Sequence, residues 1–154
     1  MDIPITLPLD SDGFLRRECP HCTAQFKWHS GPASEEAEQH PDPPAYYCPL
    51  CGQPAGPDSW WTQEQISYAE GAAAPAITQY ADELLKDAFK GLNNKYVRIE
   101  QTGHLDVPDA PMPLTEPDDM SIIMSPCHSY EPVKVPDNHT GPLHCLICGT
   151  AFAV

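Results

Sequence analysis

Cys19-Pro20-His21-Cys22 and Cys48-Pro49-Leu50-Cys51-Gly52 decide how the first third of this chain folds. Two Cys-x2-Cys pairs with 25 residues between them (23–47) carry the ligand spacing of a tetrahedral metal site. Such a turn sets both sulfurs on one side of a tight loop, where backbone amides point back at the thiolates. Gly52 follows the last cysteine, at a place where the chain needs a positive φ that a β-carbon resists. The sequence therefore predicts one zinc held by Cys19, Cys22, Cys48 and Cys51. Four thiolates also accept iron, and that alternative stays open here. Without the ion so short a segment has too little apolar area to fix its backbone. Metal binding then supplies the folding free energy, on the order of 10 kcal/mol at neutral pH.

Composition supports a chain of small pieces. There are 154 residues with 19 prolines, well above the roughly 5% average, and the prolines are bunched. Pieces below about 40 residues need a metal or disulfides. Met1-Asp2-Ile3-Pro4-Ile5 is not a secretory leader, and no apolar run approaches the roughly 20 residues of a membrane span. The expected compartment is the cytoplasm, where thiols stay reduced, and an odd total of seven cysteines argues against a closed disulfide framework. The formal charge is −14, and four thiolates on zinc add about −2 more. A surface this acidic repels phosphate backbones and anionic lipid, so nucleic acid and membranes are disfavoured as partners. The basic residues look scattered, with only Arg16-Arg17 adjacent.

Working outward, residues 1–14 form a lead in which Ile3, Ile5, Leu7 and Leu9 alternate with Pro4, Thr6 and Pro8. Either an extended segment docks by its apolar side or the terminus frays. Residues 15–58 form the first cysteine module. Phe14-Leu15 and Phe26-Lys27-Trp28 are its hairpin arms, Tyr46-Tyr47 is a third strand, and 29–45 is an acidic, proline-rich insertion without regular structure. Residues 59–102 form a helical segment capped at Ser59 or Thr62, kinked or split at Gly71 and Pro75, ending at Gly91 or Asn93-Asn94, and followed by a short strand at 95–102. Ile77, Tyr80, Ala81, Leu84, Leu85, Ala88 and Leu92 make a stripe expected to be core. Residues 103–119 read as a stiff acidic linker or an extended crossing segment.

The second cysteine module, residues 120–154, holds Cys127, Cys145 and Cys148, with Ser121-Ile122-Ile123-Met124 ahead of Cys127 and a strand expected at Val133–Val135. Three thiols need a fourth ligand. His128 is placed first, although neighbouring ligands diverge unless the chain turns sharply after Pro126; His144, His139 and the remote Glu131 are the others. A degenerate ribbon without metal and a three-ligand catalytic zinc are the competing readings. The second would need a general base and a pocket, and the chain has no His-Glu-x-x-His or His-x-Glu motif.

Glu18-Cys19-Pro20-His21-Cys22 with Tyr47-Cys48-Pro49-Leu50-Cys51-Gly52 resembles the zinc ribbon or rubredoxin-like class. His144-Cys145-Leu146-Ile147-Cys148-Gly149 resembles the closing knuckle of a second ribbon. The resemblance covers about half the chain and implies small three-stranded sheets with knuckles at one end. It departs from the pattern in the long insertion and the missing eighth cysteine. The expected architecture is a small, metal-stabilised α+β chain with two zinc-ribbon-like β modules flanking a helical segment. Such a class binds nucleic acid, binds proteins or, with iron, carries electrons. With no catalytic constellation and no basic groove, a non-enzymatic adaptor for another protein is the expected function. Trp60 and Trp61 are candidate interface anchors or core packers. An iron electron carrier, an acidic decoy built on the carboxylates of 35–42 and 106–119, and a ribbon stacking bases on Phe26, Trp28, Tyr46 and Tyr47 are the alternatives. His21, His29, His40 and His104 are expected to be ordinary surface or loop side chains.

Overall fold

Each cysteine-bearing turn closes a β-hairpin, and the hairpins come in two related pairs. The computed structural model describes residues 1–29 and 31–154; Ser30, inside the predicted insertion, lies outside the described residues. The elements run β1 (Phe14–Glu18), β2 (Gln25–His29), α1 (Glu35–Glu38), β3 (Tyr46–Tyr47), β4 (Pro54–Ala55), α2 (Gln63–Leu92), β5 (Ser121–Ile123), β6 (Val133–Val135), β7 (Leu143–His144) and β8 (Ala151–Phe152). This is a small α+β chain with antiparallel sheets and one long helix. It divides into two units: Met1–Thr6 with Glu64–Pro113, and Leu7–Gln63 with Leu114–Val154.

The second of these units holds every strand. β1-β2-β6-β5 make a four-stranded sheet, while β3-β4 and β7-β8 are two-stranded ribbons. The sequence separates two cysteine modules on either side of a helix. In the structure β2 of the first pairs with β6 of the second, and both share one core of Phe26, Trp28, Trp60, Val133, Val135, Leu143 and Leu146. Neither module has enough apolar side chains to cover its own sheet, so each uses the other. Tyr46-Tyr47 does not extend the first hairpin but pairs with Pro54–Ala55.

The shared sheet has two unlike faces. Phe26, Trp28, Val133 and Val135 turn toward Trp60, which is fully buried with ring centroids 5.6 Å from both Phe26 and Trp28. On the other face the register sets Arg16 opposite Lys27 and Lys27 opposite Lys134. Three cations side by side on adjacent strands repel one another. The acidic segments that read as lead and linker answer that repulsion. Asp10 Oδ2 lies 3.2 Å from Lys27 Nζ and 2.9 Å from Lys134 Nζ, with all three side chains essentially inaccessible. Asp12 and Asp118 also reach Lys134, at 2.6 and 2.7 Å, and Glu116 and Asp119 reach both Arg16 and Lys27. The Asp10 carboxyl sits at about 2, because hydrogen bonds from Lys134, the Phe14 amide and Lys27 outweigh burial, which acts the other way. The basic residues that look scattered in sequence are thus partly gathered by strand register, and 114–119 crosses the sheet as their counter-charge.

The other unit is built on α2. Pro75 neither splits it nor ends it. Gly71 stands four residues earlier, where the proline ring presses on the preceding turn, and Ala72, Ala73, Ala74 and Ala76 surround it with strong helix formers. The stripe expected to be core is largely exposed: Ile77, Tyr80, Leu84, Leu85 and Leu92 are all 40% accessible or more. The segment after the helix packs on the polar side instead, where Asp82 is buried and accepts from Gln101 Nε2 at 2.9 Å and the Leu105 amide at 3.2 Å. The strand expected at 95–102 does not form. Asn94 Oδ1 takes the amides of Tyr96 and Val97, and Asn93 Oδ1 takes that of Ile99, so the asparagines hold the chain in turns. The insertion is also less irregular than expected. Ser34 caps α1 by accepting the Ala37 amide at 3.2 Å, with Glu35 and Glu36 in the first turn where the helix dipole favours anions. Among the described residues, no helix is long and apolar enough to cross a membrane.

Candidate metal centres

Three turns of one design carry six of the seven cysteines. In each, the amide of the first cysteine donates to the carbonyl five residues on: Cys19 to Ala24, Cys48 to Gln53 and Cys145 to Thr150, all at 3.0 Å. In each, the residue after the second cysteine donates back to the first cysteine's carbonyl and takes a positive φ: Thr23 at 62°, Gly52 at 77° and Gly149 at 74°. The glycines are where the sequence places them. Thr23 is a β-branched residue in a conformation such residues resist, and nothing in the sequence marks it. In each turn the first cysteine is buried (Cys19, Cys48, Cys145) and the second faces outward or is half-covered.

The first centre brings Cys19, Cys22, Cys48 and Cys51 together with all sulfurs within 4.8 Å of one another. The Cys19–Cys51 separation is 3.7 Å and the Cys22–Cys48 separation 3.9 Å. A tetrahedron with metal–sulfur bonds of about 2.3 Å has edges of about 3.8 Å. The His21 and Cys22 amides point at Cys19 Sγ from 3.4 and 3.5 Å, and the Leu50 amide points at Cys48 Sγ from 3.4 Å. Burial raises the Cys48 and Cys22 thiols, while Cys19 goes down because the Cys22 and His21 amides outweigh burial. Four thiols this close cannot all ionise unaided; a divalent cation among them removes the conflict.

The second centre brings together Cys127, His128, Cys145 and Cys148, again within 4.8 Å. Cys127 and Cys148 are 3.5 Å apart, and His128 Nδ1 is 3.3 Å from Cys145 Sγ. An imidazole–thiolate edge in a tetrahedral site is about 3.6 Å. His144 and His139 do not join it: His144 Nδ1 faces the Pro49 carbonyl and His139 Nε2 that of Pro142. Cys127 is pushed up to about 11 by burial and by Cys145 and Cys148 beside it. Cys148 is held at about 6, where the Thr150 hydroxyl and amide outweigh burial. Both clusters have the donors and spacing to hold a metal ion.

Strand register explains how Cys127 and His128, neighbours in sequence, both join the second cluster. Arg16 sits opposite Lys27, and Ile122 sits opposite Lys134, so β1 maps onto β5 with an offset of 106 (122 − 16). That offset lays Cys19-Pro20-His21-Cys22 on Ser125-Pro126-Cys127-His128. His128 thus occupies the place of Cys22. Ser125 occupies that of Cys19, and the lost thiolate is supplied two residues later by Cys127. Ser125 is the residue that sequence reasoning missed. It is buried, its hydroxyl donates to Cys145 Sγ at 3.2 Å, and its oxygen accepts the His128 amide at 3.2 Å, as Cys19 Sγ accepts that of Cys22. The shared proline was the legible mark.

The duplication is a pseudo-twofold. Lys27 and Lys134 are equivalent and directly opposed. The Tyr47 amide donates to the Leu146 carbonyl and the His144 amide to the Pro49 carbonyl, both at 2.8 Å, with equivalent residues 97 apart (144 − 47 and 146 − 49). A β-carbon on Gly52 would meet the His144 ring at 2.7 Å, and one on Gly149 the Tyr47 ring at 2.5 Å. The chain matches no family model, no curated protein and no solved structure. The two clusters on paired knuckles and short hairpins are consistent with a zinc-ribbon-like class. The four histidines expected to stand apart all have partners: His21 the Pro54 carbonyl, His29 the Phe14 ring, His40 the Tyr130 ring and His104 the Asp82 carboxylate.

Proposed function

We propose that this chain is a non-enzymatic zinc-binding adaptor, with structural zinc held by Cys19, Cys22, Cys48 and Cys51 and by Cys127, His128, Cys145 and Cys148, and with another protein as its partner. The observation that carries the reading is the pair of closed four-donor clusters with tetrahedral edges. Four protein donors leave no coordination position for a reacting water, which supports a structural role. Zinc, with no geometric preference of its own and an affinity for both thiolate and imidazole, suits both sets. The seven unpaired cysteines suit a reducing compartment such as the cytoplasm. The decoy reading loses support, since Glu116, Asp118 and Asp119 are engaged with the chain's own Arg16, Lys27 and Lys134.

Metal analysis of the reduced, purified chain tests the proposal. Two zinc ions per chain in a colourless protein, lost to a strong chelator together with the native tryptophan spectrum, is the expected result. A red protein with iron in the four-cysteine site would move the function to electron transfer. A single ion would remove the second centre from the reading.

A further inference from the structure

A cavity of about 440 Å³ opens between the two cysteine segments of the metal-binding unit. That volume lies within the roughly 300–1,000 Å³ range of sites that take small groups. Its walls are aromatic: Trp28 and Tyr46 lie 4.8 Å apart, and Tyr130 stacks on His40 at 4.0 Å with an interplanar angle of 1°. Its polar lining combines three carboxylates, Glu38, Asp42 and the half-buried Glu131, with the imidazoles of His29 and His40. Neither Asp42 nor Glu131 has an ion-pair partner among the described residues. Arg16, Lys27 and Lys134 are committed to the carboxylates of the opposite sheet face, and Arg17, held between the Trp28 and Trp61 rings at 4.5 and 4.9 Å, covers part of Trp28 without pairing with Asp42 or Glu131.

We infer that this cavity binds an alkylammonium cation, carried as a lysine or methylated-lysine side chain on a protein partner. Aromatic faces attract such a cation through their quadrupoles, and paired carboxylates fix its charge. The equivalent position across the pseudo-twofold is an internal contrast. There a second cavity of about 400 Å³ has Val135 and Leu143 where the first has Trp28 and Tyr46. The aromatic lining therefore belongs to one half of the duplicated unit and is not required by the ribbon design. The cavity also depends on the second metal centre. Ile147, between the ligands Cys145 and Cys148, lines it, and the Tyr130 ring stands edge-on to His128 at 5.7 Å.

The inference rests on the adaptor reading and is tested apart from it. Amide and indole shifts of the zinc-loaded full chain are followed while it is titrated with one short uncharged peptide bearing lysine, trimethyl-lysine or norleucine, and separately with n-butyltrimethylammonium. Saturable shifts centred on Trp28, Tyr46 and Tyr130 are expected with the cationic peptides and absent with norleucine. Saturation by the free cation and not the peptides would keep the site and assign it to a free amine. Glu131→Gln and Asp42→Asn, each with an unchanged spectrum outside the cavity, should weaken binding about ten-fold. Equal binding of the norleucine peptide, no saturable shift at these rings, or unchanged affinity in both variants would overturn the inference. Metal content of the same samples separates the outcomes: two ions with no cation preference sinks the cavity alone, one ion removes the second centre, and none sinks the adaptor reading.

Discussion

Replacing Gly149 with alanine tests whether the two metal centres are built against each other. Gly149 has φ +74°, and a β-carbon there would stand 2.5 Å from Tyr47 Cδ1 and 2.9 Å from Cε1 and Cγ. The left-handed backbone costs an L-residue about 1–2 kcal/mol. Forcing a methyl into a packed contact costs about 1–3 kcal/mol more. The variant should therefore lose about 2–5 kcal/mol. Gly13→Ala is the control for the backbone part, since its φ is +85° but its β-carbon would come only within 3.4 Å of His29 Cε1. Urea unfolding of the zinc-loaded chain, read by the fluorescence of buried Trp28 and Trp60, gives both values. The difference between the two variants isolates the Tyr47 contact and should be about 1–3 kcal/mol. If Gly149→Ala costs no more than Gly13→Ala, the knuckles do not press on each other and the reciprocal arrangement is wrong. Because the ring it displaces adjoins Cys48, Gly149→Ala should also speed zinc loss from the first centre.

Lys134→Met leaves Asp10 buried with half its counter-charge and should cost about 3–5 kcal/mol in the same unfolding assay. The Asp10 carboxyl is depressed from 3.8 to about 2, so its contribution of about 2 kcal/mol is complete above pH 4 and disappears as pH falls toward 2. Asp10→Asn should flatten that part of the acid-stability curve relative to the parent, and parallel curves would count against the assignment. Ser125→Ala removes the donor to Cys145 and the acceptor of the part-buried His128 amide. Competition with a chromophoric chelator should show the second zinc bound about 10–100-fold more weakly and the first unchanged. Thr23→Gly relieves a positive φ of 62° and should stabilise the zinc-loaded chain by about 1 kcal/mol, seen as a higher urea midpoint.

The first centre was legible in the sequence because its chemistry is local. A Cys-x2-Cys turn closes on itself, and the glycines after Cys51 and Cys148 report the backbone that turn needs. His128 could be placed as the first choice for the same reason, though not why it follows Cys127. Ser125 looked ordinary, since its burial beside Cys145 arises only when β5 takes the register of β1. Periodicity misled in α2, where spacings of three and four mark a face but not what covers it.

Local sequence thus determined the three knuckles, the arms of the first hairpin and the four cysteines of the first candidate centre, through short loops whose geometry depends on a few neighbouring residues. Tertiary structure alone decided that the two cysteine segments share one sheet, that Arg16, Lys27 and Lys134 line up beneath Asp10, Glu116 and Asp118, and that Trp28, Tyr46 and Tyr130 enclose one cavity. Those arrangements join residues about a hundred positions apart. They follow from strand pairing and shared burial, which no local pattern in the chain encodes.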